Sequence, residues 1–167
     1  MELKPLICVA VGVTIGAGLF AGQGQDKALT VQDFPDLVSG IKATPGCLGV
    51  KTGTLENGKQ LAIYAWFKDK AAVQAWYTSP MHREAMKKFF PKLPGKTAAL
   101  GQYRDDKSPL LVVATVTPSD KSHLEGSPLA VSQIAIEIYT PVPGGVTFGG
   151  GFAPKSLDVP GIVRMGE

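Results

Sequence analysis

Two histidines, two tryptophans and an interior cysteine are the side chains in this sequence best suited to chemistry. His82 lies in YTSPMHREAM, three residues past Ser79. An imidazole titrates near neutrality, so His82 could take a proton from a substrate or ligate a metal or haem iron. A surface helical histidine with no partner set is the plainer reading, because one histidine does not make a site. His123 sits in the polar run SDKSHLEG and reads as solvated. Tyr64, Trp66 and Trp76 could line an aromatic pocket for a small apolar or aromatic ligand, and they could equally be core or interface residues. Glu137 alternates with isoleucines in QIAIEIY. Facing a cavity, its carboxyl would be raised by burial into the range of a useful base; on an exposed edge it would be ordinary. Cys47 reads as a small buried thiol, since a reactive one needs a cationic setting. No two-Cys or two-His spacing suggests a metal, no Gly-rich loop opens a helix, and no G-x-S-x-G run appears. No cofactor is expected.

The elements that position these residues centre on Pro45 to Phe90. Asp33-Phe34-Pro35 looks like a helix start, with Leu37, Val38 and Ile41 following at helical spacing. Pro45 ends that helix by restricting Thr44. Leu48 to Glu56 and Lys59 to Lys68 read as a hairpin, with Asn57-Gly58 supplying the two positive φ angles of a type I′ turn. The return strand is apolar on both faces: Leu61, Ile63, Ala65 and Phe67 on one, Ala62, Tyr64 and Trp66 on the other. A strand of that kind is covered on both sides. Asp69 caps the next helix, Pro80 interrupts it, and Ser79-Pro80 can restart it as cap and first residue. Leu110 to Val116 and Val131 to Tyr139 read as two more strands. From Pro141 onward Gly and Pro dominate, which predicts an extended tail that folds only against something else.

Length and composition set the limits. The chain has 167 residues, 44% of them hydrophobic, a formal charge of +3 and a pI near 8.8. That suits one domain with its own core, and the scattered basic residues do not make the stripe a nucleic-acid partner would need. From Pro5 to Ala21 the run PLICVAVGVTIGAGLFA carries no charge and the polar GQGQDK follows. This resembles a secretory signal peptide over residues 1–21, which places the protein outside the cytoplasm. An uncleaved anchor is the alternative, and it is the one membrane association the sequence suggests; the run is at the short limit for spanning ~30 Å of hydrocarbon. With Cys8 inside that run, no internal disulfide is expected.

Two helices on one face of an antiparallel sheet make an α+β, ferredoxin-like domain over residues 26–140. Two helices cover one face only. The face carrying Tyr64 and Trp66 needs another cover, because monomers seldom expose so large an apolar patch. A second copy packed sheet to sheet supplies it, which predicts a homodimer; the competing cover is the chain's own segment 141–167.

The run from Pro45 to Met86 resembles the dimeric α/β-barrel superfamily, in particular the antibiotic-biosynthesis-monooxygenase-like domains. The resemblance rests on Pro45-Gly46, the hairpin, Asp69, Trp76, Ser79 and His82, and spans roughly residues 33–90. It implies a dimeric barrel with a cavity beneath the sheet, and chemistry ranging from cofactor-independent oxygenation of aromatic substrates to haem degradation and to members without activity. In an oxidation of that kind a base such as His82 would take the proton. The haem-degrading relatives use an Asn, Trp and His set, and Met86 stands where their His falls. Three functions follow: binding or oxidation of a small apolar or aromatic ligand, a non-catalytic protein of the same fold, and haem binding.

Overall fold

A computed structural model describes residues 36–92, 100–101, 103 and 107–166. The signal-like segment, the expected strand before Asp33 and Asp33 itself lie outside the described residues.

The first helix, α1 (Leu37–Lys42), starts later than the sequence reading put it. Its cap is Asp36, whose Oδ1 accepts the Ser39 N–H at 3.0 Å. That spacing satisfies one of the orphan donors of the first turn, so the helix begins where the bond can form. Strand β1 (Cys47–Leu55) follows the Pro45-Gly46 turn, and β2 (Gln60–Phe67) returns antiparallel beside it. The connection is longer than the two-residue turn expected. Leu55 pairs with Gln60, leaving four residues between them, and Glu56 joins Asn57 and Gly58 at positive φ. The Lys59 N–H donates to the Glu56 carbonyl at 3.2 Å, which closes the turn as a short 3₁₀ segment.

Helices α2 (Lys70–Tyr77) and α3 (Pro80–Phe89) form where the caps predict. Asp69 Oδ1 accepts the Ala72 N–H at 2.8 Å, and Ser79 Oγ accepts the His82 N–H at 3.2 Å with Pro80 in the first turn. Strands β3 (Leu110–Pro118) and β4 (Val131–Tyr139) complete one antiparallel sheet in the order β1-β2-β3-β4. The class is α+β and ferredoxin-like.

The register sorts the side chains between two faces. Ala65 pairs with Val50 and Val112, and Phe67 with Cys47 and Leu110. These residues point at the helices and make the main core with Ile41, Ala72, Val73 and Trp76. Phe67 and Val73 are fully buried, each worth about 1.5–3 kcal/mol of hydrophobic stabilisation. A smaller cluster joins Ala85 and Phe89 of α3 to Leu129 and Val131. Ser127 ties it down by donating from Oγ to the Phe89 carbonyl at 2.7 Å, so the connection before β4, polar in sequence, carries core residues at its end.

The opposite face presents Tyr64 and Trp66 from β2, Leu111 and Val113 from β3, and Glu137 and Tyr139 from β4. The C-terminal segment lies over part of it. Between Cys47 and Gly49 the β1 register shifts, leaving Leu48 as the extra residue, and its carbonyl accepts Ser156 Oγ at 3.1 Å. Gly49 lets Pro154 approach so closely that a Cβ there would sit 3.0 Å from it. Leu157 is 4% exposed. The segment also pairs with itself, as β5 (Val146–Phe148) parallel to β6 (Val163–Met165). So the Gly- and Pro-rich stretch folds against its own sheet.

Candidate functional site

The sheet divides the residues singled out in the sequence into two groups. His82 and Trp76 lie together on the helix side. Tyr64 and Trp66 lie together on the other side, under the C-terminal segment.

On the helix side, Ser79 and Pro80 start α3 so that His82 falls in its first turn, against the end of α2. The imidazole meets Trp76 edge-on with centroids 5.2 Å apart and Tyr77 at 4.9 Å. Its Nδ1 lies 3.0 Å from the Tyr77 carbonyl oxygen. A carbonyl only accepts, so Nδ1 carries the proton and Nε2 the lone pair. Burial pushes the His82 pKa down from 6.5, opposed in part by that carbonyl. Burial also pushes the Tyr77 phenol up. The histidine is thus neutral near pH 7 and its Nε2 is a competent proton acceptor. It also has a structural task, because it joins the two helices across their break. Trp76 is a core residue at 6% exposure.

On the other side, Trp66 is 3% exposed and Tyr64 half-buried. Phe152 stands edge-on to both, with centroids 4.9 Å from Tyr64 and 4.8 Å from Trp66. Beside them opens a cleft of about 170 Å³, lined by Trp66, Leu111, Tyr139, Pro141, Ala153 and Leu157 among others. That is close to the roughly 150 Å³ of an apolar cavity able to hold one benzene ring. It is smaller than the roughly 300–1,000 Å³ of pockets for larger ligands.

Glu137 is exposed on the same face as Tyr139, two residues apart on β4. The Glu137 carboxylate holds the Tyr139 phenol above its ordinary value by accepting its hydrogen bond. Tyr139 therefore keeps its proton, with its one O–H given to Glu137. His123 is anchored through its N–H to the Val131 carbonyl at 3.0 Å, and its ring lies 3.9 Å from Asp120 on an exposed turn. Cys47 faces the core as a free thiol, pushed up by burial. That suits a packing role and not a nucleophile.

Sequence reasoning missed Lys51, Phe152 and Leu157. Lys51 shares its face with Tyr64, to which it is paired, and period-two alternation along β1 would have placed it there. Phe152 and Leu157 stand in a run whose glycines hide any periodicity, and no local signal marks them.

Residues 15–88 match the family model for antibiotic biosynthesis monooxygenase, somewhat under half of the chain. The four-stranded antiparallel sheet with its helices is α+β and ferredoxin-like, consistent with the fold of that family. No curated protein and no solved structure matches the chain.

Proposed function

We propose that this protein binds a small apolar or aromatic ligand in the cleft beside Trp66. One observation carries the reading: the cleft is lined by apolar groups and borders the Tyr64–Trp66–Phe152 cluster, with Tyr139 among its lining residues. Concave, mostly apolar sites with few polar groups are what small-molecule binding uses. Calorimetric titration with toluene and with benzyl alcohol tests it. Saturable binding of either supports the reading; no heat from either at millimolar concentration sinks it.

Binding without catalysis is the form the geometry favours. Cofactor-independent oxidation of the ligand needs a proton acceptor at the ligand, and the neutral imidazole of His82 lies across the sheet from the cleft. Glu137 is the acidic group on the cleft's side, and its place beside Tyr139 occupies it as that phenol's acceptor. Oxygen uptake during incubation with a phenolic ligand would reverse this preference.

The same reading includes a homodimer outside the cytoplasm. Its support is the apolar surface exposed on the C-terminal segment itself, including Val142, Phe148, Val163 and Met165. A second copy would cover it. Light scattering at micromolar concentration should give twice the chain mass, and a clean monomer refutes the dimer. N-terminal sequencing of exported protein should begin after the residues 1–21 segment.

A further inference from the structure

We propose that the Tyr64–Trp66 face takes an aromatic ring bearing an anionic group, and that Phe152 holds the ring's place until such a ligand displaces it. The inference rests on the cleft being the ligand face and adds the ligand's charge and the way it enters.

Phe152 is seated as a ligand ring would be. It touches both Tyr64 and Trp66 edge-on at centroid distances under 5 Å. Yet it is 53% exposed, so half of the ring remains in water and its seat is weakly held. The chain that delivers it is built to move. Gly149 and Gly150 adopt φ of 63° and 155°, and a Cβ at either would meet nothing within 4 Å. Gly149 is anchored through its N–H to the Met165 carbonyl at 2.8 Å, which leaves Gly150 as the pivot, and a glycine there re-orients at little cost. Ala153, the next residue, lines the cleft, so a swing of Phe152 opens the one-ring cleft toward Tyr64. The enlarged space takes two fused rings.

Lys51 sets the charge. Its Nζ lies 5.4 Å from the Phe152 ring centroid and donates to the Gly151 carbonyl at 3.0 Å. No carboxylate pairs with it among the described residues. A neutral carbonyl is the weaker acceptor for an ammonium, and an anionic oxygen forms a shorter and stronger bond. A carboxylate or sulfonate on the incoming ring therefore takes the hydrogen bond from Gly151 at the moment its ring takes the place of Phe152. One exchange releases both holds on the segment.

The test uses the full chain and naphthalene-2-sulfonate, with 2-naphthol as the uncharged control, followed by calorimetry. Phe152→Ala should bind the sulfonate about tenfold more tightly than the unaltered protein, the scale of one aromatic pair contact removed from competition. Adding Lys51→Ala should abolish the preference for sulfonate over naphthol. Near-ultraviolet dichroism checks that the variants keep the fold. As a measurement that needs no substitution of Phe152, 4-fluorophenylalanine labelling should show the Phe152 ¹⁹F signal moving to the solvent-exposed position as sulfonate saturates. Sulfonate binding that Phe152→Ala does not tighten, with an unmoved ¹⁹F signal, overturns the displacement and leaves the ligand face standing. Equal affinity for sulfonate and naphthol overturns the role of Lys51. No binding of either compound by either protein overturns the ligand face and this inference with it.

Discussion

The ring of Phe152 meets the ring of Trp66 edge-on, with centroids 4.8 Å apart and planes inclined at 65°. The contact joins the end of β2 to the C-terminal segment. It is why the C-terminal segment belongs to the packed structure: Trp66 is buried from the side away from the helices by this segment and by Leu157.

Leu157 gives that packing a measurable size. It is 4% exposed and lines the same cleft as Trp66. Leu157→Ala should cost about 2–3 kcal/mol, because a buried leucine loses transfer energy and leaves a void. Urea unfolding followed by tryptophan fluorescence reads it. A change below 0.5 kcal/mol, on the order of an ordinary surface substitution, would mean that the segment is not docked in solution.

The pH dependence of His82 has a definite sign. Its folded pKa lies below 6.5 because burial disfavours the cation. Between that folded value and 6.5 the unfolded chain binds more protons, so stability rises with pH. The contribution is complete above 6.5 and is lost as pH falls through the folded value. An NMR titration of the His82 ring should show a midpoint below 6.5, and a midpoint above it contradicts the buried, Nδ1-protonated imidazole.

The two helix caps should be separable from the site. Asp69→Ala and Ser79→Ala should each cost about 1 kcal/mol, since each removes an acceptor for an N–H of the first turn. Asp69→Asn should be nearly silent, because asparagine caps as well. Thermal unfolding distinguishes these. If Asp69→Asn costs as much as Asp69→Ala, charge matters more than the hydrogen bond.

Gly46 is the most constrained turn position. Its φ is 85°, and a Cβ there would lie 2.7 Å from the Ala72 Cβ, a rigid neighbour. Gly46→Ala should destabilise by about 2–3 kcal/mol through left-handed strain together with overpacking. A stability within 0.5 kcal/mol of the unaltered protein, about the effect of a surface change, would show that the turn relaxes freely.

The helices and the sheet were legible because their signals are local. Asp69 and Ser79 cap as their side chains dictate, and the two-sided apolar strand around Trp66 announces a cover on each face. Among the described residues the first helix is capped by Asp36 through its bond to Ser39, and no local signal in the sequence ranks one aspartate cap above another. The hairpin turn differed because Glu56 enters the left-handed region, which no preference of glutamate predicts. The sequence left the cover open between a second copy and the chain's own segment 141–167. The choice depends on contacts about a hundred residues apart, such as Ser156 with Leu48, whose residue types carry no mark of one another. For the site, alternation placed Tyr64 and Trp66 on one face, but grouping them with Trp76 and His82 ignored which side of the sheet the helices occupy.

The central claim is that the ligand face lies on the Trp66 side of the sheet and not at His82. ¹⁵N-tryptophan labelling gives one indole signal for each tryptophan, so a titration with benzyl alcohol locates the site without any substitution. The account predicts a saturable shift of the Trp66 indole signal with the Trp76 signal unmoved. A shift of Trp76 accompanied by the His82 ring, with Trp66 unchanged, would contradict it.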